Sequence, residues 1–336
     1  MPHASSMERE GRSGALRAGL GRAWSILYNY GLLIALILLA AAFSLLRPDT
    51  FPTLANAGSI LTGSAALAMI AIGVTLPLIV QQFDLSAGFM ATFASLLVVG
   101  LLSFNHAPVW LAILVALVAS ALVGLANGLL VAYARLNSLV VTLAAGSLLF
   151  GASEIYSGGA TIYQDVPQLF LAVGQSRVAG IPLPFVYVII VALIAWYILE
   201  YRPLGRYMYA IGGGEEGARL VGIKVDRLVV LVFVASAVMA GLGGVVQSAR
   251  VGSANPSVLQ TMLLPAFTAA FLGATSIRPG QYNIWGTVIA VYLVGLGTTG
   301  LFMLGASSYT EPVFDGAVLL VAIILAKLSA RGRSRM

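Results

Sequence analysis

The alternation of apolar and polar stretches divides the chain into long hydrophobic segments joined by short polar connections. The segments lack the period-two alternation of β-strands, so they predict helices rather than a barrel. About 20 apolar residues in a helix cross a bilayer core of about 30 Å. Ten segments approach or reach that length: 28–46, 60–80, 86–104, 109–133, 139–156, 182–201, 228–249, 262–277, 284–304 and 313–328. The pattern therefore predicts an all-α polytopic membrane protein with about ten transmembrane helices.

Two places interrupt this regular pattern. Segment 262–277 contains Pro265 and as a helix reaches only roughly 24 Å at about 1.5 Å per residue, so we expect a broken or partly re-entrant helix. The joint between the second and third segments is the polar run 81–86, bracketed by Gly73, Pro77 and Gly88. Irregular backbone at membrane depth is tolerated only where it is buried in protein or lines a cavity. The joint is therefore a candidate functional element.

Composition supports the membrane class. The chain is 60% hydrophobic and only 9% charged, whereas soluble domains are about 25% charged. We assign residues 26–328 to one transmembrane domain, preceded by a basic arm over 1–25 and followed by a basic tail over 329–336. No small-residue cleavage site follows the first apolar segment, so we expect it to be retained as a helix.

The distribution of basic residues predicts the orientation. With ten spans and a cytoplasmic N-terminus, fifteen of the eighteen Lys and Arg residues fall on the cytoplasmic side. Only Arg47, Arg177 and Arg250 fall outside. This is the bias of the positive-inside rule, so both termini are predicted to be cytoplasmic. The same bias accounts for the net charge of +6, and we do not expect a nucleic-acid partner.

The most polar interval between apolar segments is 202–227, which carries eight of the thirty charged side chains. Glu215 and Glu216 begin a helix-favouring stretch, where acids suit the helix dipole, and Gly222 ends it. We predict a short amphipathic helix over 215–223. Two turns have little stability of their own, so such a helix requires a surface on which to dock. The alternative is a solvated loop.

Several kinds of chemistry are absent from the sequence. No G-x-x-x-x-G-K-[ST] motif occurs, so the chain has no P-loop for a nucleotide. It has no cysteine and only two histidines, which argues against a metal site or an activated nucleophile. We expect no catalytic residue, no metal and no cofactor in this chain.

Polar and aromatic residues within the apolar part are candidates for a solute pathway. Asp84 is the most telling, because an intramembrane acid is costly and usually functional. The alternative, compatible with the first, is that Asp84 or Ser86 caps the third helix. The predicted pathway residues are Gln81, Gln82, Phe83, Asp84, Ser86, Asn127, Phe267 and Phe271, with Thr142, Thr268, Thr275 and Tyr292 as a wider pool.

Three stretches resemble one family. The run 83–88, FDLSAG, resembles the Asp-Leu-Ser-x-Gly signature of the ribose, xylose and galactoside branch of bacterial ABC-importer permeases. The interval 202–225, RPLGRYMYAIGGGEEGARLVGIKV, resembles that family's cytoplasmic loop, and 269–276, AAFLGATS, resembles its late glycine-rich segment. The resemblance extends over about residues 51–328.

The resemblance implies a type II ABC importer-like permease fold in the bacterial inner membrane. It implies three partners: a second permease copy or sister permease, a periplasmic substrate-binding protein, and ABC ATPase subunits that bind ATP and Mg. The solute would be a monosaccharide or polyol. Carried over by position, the coupling residues would be Glu215, Glu216, Gly217, Ala218, Arg219, Leu220, Gly222 and Ile223.

The sequence departs from the resembled family in two places. Gln81 and Gln82 stand where the family usually has glycines, and 274–280, ATSIRPG, replaces a run of glycines. These departures bear on which solute is carried. The competing hypotheses are a secondary ion-coupled transporter, which would need more intramembrane ionisable groups than Asp84, and an intramembrane enzyme.

Overall fold

The structure is a computed structural model that describes residues 30–307, 309–318 and 320. Nearly all of its regular elements are helices, and one two-stranded antiparallel hairpin pairs Arg177 with Pro182 and Val178 with Ile181. A 3-10 turn spans Leu259–Met262, and 310–318 are helical. The elements are α1 Tyr30–Leu46, α2 Leu54–Gly63, α3 Ala65–Ile79, α4 Ala87–Asn105, α5 Val109–Ala132, α6 Ser138–Ser157, α7 Gln168–Gln175, β1 Arg177–Val178, β2 Ile181–Pro182, α8 Leu183–Tyr201, α9 Pro203–Gly213, α10 Glu215–Leu220, α11 Val225–Val251, α12 Leu263–Gly273 and α13 Ile284–Met303.

Seven helices in the described part of the chain are long and apolar enough to cross a membrane. They match seven of the ten predicted segments: Leu54–Ile79, Ala87–Asn105, Val109–Ala132, Ser138–Ser157, Leu183–Tyr201, Val225–Val251 and Ile284–Met303. Two predicted segments are shorter apolar helices, Tyr30–Leu46 and Leu259–Gly273. The tenth segment lies mostly outside the described residues, as do the predicted arm over 1–25 and the tail over 329–336.

The core is built around α11, which packs against α3, α4 and α5. Small residues let the helix axes approach closely. A Cβ atom added at Gly244 would lie 2.1 Å from the carbonyl oxygen of Ala91 on α4. A Cβ atom at Gly124 of α5 would lie 2.6 Å from the carbonyl oxygen of Phe233 on α11. Both helix crossings therefore require glycine at these positions, because any side chain would clash with the neighbouring backbone.

Gly244→Ala is expected to destabilise the protein, because the new methyl group would clash with the backbone carbonyl group of Ala91. Unlike a side chain, that group cannot rotate out of the way. Overpacking of this kind typically costs about 1–3 kcal/mol. Gly151 on α6 is the matched control, because a Cβ atom there would meet nothing within 4 Å. Gly151→Ala is expected to be neutral or slightly stabilising, since alanine favours helix. Thermal unfolding of the detergent-purified variants measures both, and equal unfolding temperatures would contradict the close crossing.

The short segment predicted around Pro265 is α12, together with the 3-10 turn before it. Pro265 lies in the first turn of α12, where a missing N–H costs little, so the proline does not break this helix. After α12, Asn283 holds the turn into α13. Its Nδ2 donates to the carbonyl oxygens of Gly273 and Ser276 at 3.2 and 3.1 Å, and its Oδ1 accepts from the amide of Gly286 at 2.7 Å. The segment is a shorter apolar helix, Leu259–Gly273, and its partial re-entry into the membrane stays a prediction.

Candidate functional site

The joint between α3 and α4 is held by a buried network around Asp84, which is 1% exposed. Oδ1 of Asp84 accepts from the amide and the hydroxyl of Ser86, at 3.0 and 2.5 Å. Oδ2 of Asp84 accepts from the hydroxyl of Ser236 on α11 at 2.7 Å. Nδ2 of Asn127 on α5 donates to Oγ of Ser86 at 3.0 Å. We call these four residues the Asp84 network.

Two backbone amides of the same joint are bound by α6. The amide of Phe83 donates to Oγ of Ser138 at 3.2 Å, and the amide of Leu85 donates to Oγ1 of Thr142 at 3.0 Å. Both hydroxyl residues are buried. Together with the Asp84 network, these bonds tie the joint to α5, α6 and α11.

Three of the predicted pathway residues belong to this network. Asp84, Ser86 and Asn127 lie together, but their polar atoms bond one another and Ser236 rather than an open space. The capping alternative is met only in part, because α4 begins at Ala87 with no side-chain cap. The hydrogen bonds of the Asp84 network hold the joint between α3 and α4 in place.

Four aromatic rings form a row beside the joint. Ring centroids are 6.2 Å apart for Phe83 and Phe267, 6.3 Å for Phe267 and Phe271, and 5.9 Å for Phe271 and Tyr282. Phe267 and Phe271 share one face of α12. The structure thus brings together the three predicted phenylalanines and adds Tyr282, which the sequence analysis did not single out.

A tyrosine contact joins this row to α9. The hydroxyl of Tyr209 on α9 donates to the carbonyl oxygen of Tyr282 at 2.8 Å. Burial raises the pKa of both Tyr209 and Tyr282 to about 12. Both phenols are therefore neutral hydrogen-bonding groups at physiological pH.

The short amphipathic helix predicted over 215–223 is present but shorter than expected. It spans Glu215–Leu220, so the predicted end at Ile223 was wrong by three residues. Gly222 has φ +84°, the left-handed conformation that favours glycine. Its amide donates to the carbonyl oxygen of Arg219 at 3.0 Å, while that of Ile223 donates to the carbonyl oxygen of Ala218 at 3.1 Å. This is a Schellman cap, which gives Gly222 and Ile223 a structural role in ending the helix.

Four charged residues fix the orientation of α10, and we call them the charge cluster: Arg135, Glu215, Arg219 and Asp226. Oε1 of Glu215 accepts from Arg219 at 2.8 Å and from Arg135 at 3.4 Å. Oδ1 of Asp226 accepts from Arg219 at 2.6 Å and from Arg135 at 3.1 Å. Hydrogen bonds with Asp226 and then with Glu215 raise the pKa of Arg219. The cluster links α10 to α11 and to the connection between α5 and α6.

The side of α10 that faces away from the charge cluster is exposed in the described part of the structure. Ala218 is buried at 4% exposure, whereas Leu220 is 88% exposed and Val221 is 77% exposed. Glu216 and Gly217 are also exposed. Glu215 and Arg219 therefore attach α10 to the rest of the protein through the charge cluster, while Glu216 and Leu220 face outward.

The joint and α10 lie at the same end of the bundle, and the joint contacts the last turn of α9 just before α10. Nε2 of Gln81 donates to the carbonyl oxygen of Gly212, three residues before α10. Gln81 has φ +58°, so its backbone is bent to make this approach. Sequence reasoning missed Arg135, Asp226 and Ser236. The sequence marked these three residues only by their position, since Arg135 and Asp226 lie next to apolar segments and Ser236 lies inside one.

Comparisons with known proteins agree on one family. Residues 56–323 match the family described as branched-chain amino acid transport system / permease component. Ribose import permease protein RbsC of Haemophilus influenzae is 34% identical over 87% of this chain and 90% of its own length. D-allose transport system permease protein AlsC of Escherichia coli is 30% identical over 90% and 93%. Galactose/methyl galactoside import permease protein MglC of Escherichia coli is 28% identical over 89% and 94%. No solved structure matches the chain.

Proposed function

Because the chain belongs to the family described as branched-chain amino acid transport system / permease component, we propose that it is the permease subunit of an ATP-driven importer of a monosaccharide or polyol. Its relatives are transporter components, and seven helices in the described part of the chain are long and apolar enough to span a bilayer. It is therefore a multi-pass protein of the inner membrane and not an enzyme. The ATP-driven cycle and the solute are the proposed part.

The observation that carries the proposal is the geometry of α10. Its inner face is fixed by the charge cluster, and its outer face presents Leu220 at 88% exposure. The chain has no P-loop of its own. An ABC ATPase that binds ATP and Mg would dock on this face. A movement of the docked ATPase would shift α10, and the ion pair between Arg219 and Asp226 would transmit that shift to α11. Ser236 on α11 in turn bonds Asp84.

The aromatic row supports a sugar as the solute. Flat apolar rings stack on the C–H faces of sugars, while amides bind hydroxyl groups. Phe83, Phe267 and Phe271 supply the rings, and Gln81 and Gln82 supply amides beside Phe83. Three relatives are named for ribose, allose or galactose. A periplasmic binding protein would deliver the solute to the end of the bundle opposite α10.

The proposed topology has ten spans, with both termini and α10 in the cytoplasm. It rests on the asymmetry of the basic residues and follows the positive-inside rule. Arg135, Arg219 and Arg278 then lie inside, while Arg177 and Arg250 lie outside. A second permease copy, or a sister permease, would complete the path between two such bundles.

Uptake into proteoliposomes tests the function. The permease is reconstituted with its cognate ATPase and binding protein, and labelled D-ribose, D-allose and D-galactose are offered separately. We expect uptake of at least one sugar that needs luminal ATP, Mg and the binding protein together. Uptake by the permease alone under an ion gradient would instead favour the secondary transporter. No ATP-dependent uptake of any of the three sugars would contradict the proposal.

A further inference from the structure

An open cleft of about 400 Å³ lies between the joint and α10. Its lining includes Gln81, Gln82 and Phe83 from the joint, together with Arg135, Asn137 and Glu215. Polar atoms contribute more of its lining than apolar atoms do. The cleft is at the end of the bundle that carries the charge cluster, beyond the buried Asp84 network.

Several of the lining groups are available to a ligand. Within the described residues, the side-chain amide of Gln82 makes no hydrogen bond, and that of Asn137 uses only its Oδ1, which caps α6. Arg135 and Glu215 are 57% and 42% exposed. Amide donors and acceptors, a guanidinium and a carboxylate beside an aromatic ring are the groups that bind vicinal hydroxyls and a sugar face.

Building on the proposed function, we propose that this cleft is an exit subsite that holds the released monosaccharide on the cytoplasmic side. Gln82 and Asn137 bind its hydroxyl groups, and Phe83 packs against one of its faces. Phe83 also belongs to the aromatic row, so the cleft continues the path marked by Phe267 and Phe271.

The same cleft connects the ligand to the coupling helix. Arg135 and Glu215 line it and also belong to the charge cluster, where they contact each other at 3.4 Å. Gln81 lines it and bonds the carbonyl oxygen of Gly212 just before α10. A sugar that engages Arg135 or Glu215 competes with the bonds that orient α10. Occupancy of the cleft should therefore slow the ATP-driven cycle, which gives the importer product inhibition.

Proteoliposomes preloaded with unlabelled sugar test this subsite. The complete transporter is oriented with the ATPase and ATP in the lumen, and the initial uptake of the labelled sugar is measured against luminal D-ribose, D-allose or D-galactose. Luminal sugar is expected to slow uptake and ATP hydrolysis in parallel. Gln82→Ala should raise the half-inhibitory luminal concentration about fivefold, the change in affinity that one lost hydrogen bond typically produces.

Asn137→Asp provides a second variant, because aspartate keeps the oxygen that caps α6 and removes the amide donor. It should raise the same concentration. Gln168→Ala, at an exposed position on α7, is the glutamine control and should not. Each variant is compared with and without luminal sugar, so an altered basal rate does not affect the result.

The outcomes separate this subsite from the proposed function. Uptake that luminal sugar never slows would overturn the subsite and leave the importer intact. Inhibition that neither Gln82→Ala nor Asn137→Asp changes would also overturn it, as would slower net uptake with unchanged ATP hydrolysis. Failure of all ATP-dependent uptake would overturn the proposed function, and the subsite with it.

Discussion

Leu220→Arg is expected to reduce ATP-driven sugar uptake by more than tenfold while leaving the permease folded. Leu220 is 88% exposed, so the free subunit loses no packing when it is replaced. In the proposed complex the same side chain enters an apolar pocket of the ATPase. Loss of a central interface anchor costs about 2 kcal/mol or more, and about 1.4 kcal/mol is a tenfold change in affinity. A buried guanidinium adds to that cost.

Two measurements are needed for Leu220→Arg. Thermal unfolding of the purified permease should match the wild type, and the amount of ATPase retained on immobilised permease should fall. Leu220→Met is the control, because it keeps the volume and apolar character of the side chain, and it should retain both binding and uptake. Normal ATPase retention and uptake with arginine at this position would show that α10 is not the docking element.

The two acids that begin α10 should behave differently. Glu216 is exposed, so Glu216→Arg acts only on the docked complex. Glu215 bonds Arg219 and Arg135, so its replacement also loosens α10 in the free subunit. The sequence alone gave both acids the same predicted role. Which of two neighbouring residues on a short helix faces the protein becomes clear only when the end of the helix and the contacts of the charge cluster are known.

The sequence was sufficient for features that depend on local composition. A run of about 20 apolar residues must be helical in a bilayer, so the seven candidate spans of the described residues lie within six residues of their predicted bounds. The interval 202–227 was recognisable by its charge. In contrast, α9 was missed, because Pro203 at its start and Gly212 and Gly213 at its end are typical of a loop. It forms because Met208 and Ile211 are buried.

The candidate site depended on contacts between distant parts of the chain. Asp84 and Ser236 are 152 residues apart, and Arg135 and Asp226 are 91 apart. No local pattern pairs a serine inside an apolar helix with an acid in a distant turn. The run FDLSAG marked the joint correctly. Only the structure shows that its aspartate faces inward and that Gln82 is left without a partner among the described residues.

Asp84→Ala is expected to lower the stability of the folded permease by about 2–6 kcal/mol, because it leaves two buried hydroxyl donors without an acceptor at about 1–3 kcal/mol each. The change leaves the hydroxyls of Ser86 and Ser236 without their acceptor. Ser86, which accepts a hydrogen bond from the side-chain amide of Asn127, is then no longer held in position by Asp84. Because the joint then loses its tie to α11, uptake should fall together with stability.

Asp84→Asn separates the network from a role in contacting the solute. The amide keeps one oxygen to accept from Ser86, and a hydroxyl such as Ser236 can accept as well as donate, so most of the stability should return. Thermal unfolding and uptake are measured on the same preparations, with Ser236→Ala as the comparison that removes only the α11 bond. If uptake follows stability across the three variants, Asp84 acts by positioning the joint. If asparagine restores stability but not uptake, the carboxyl group itself contacts the solute, and the role assigned to the Asp84 network is wrong.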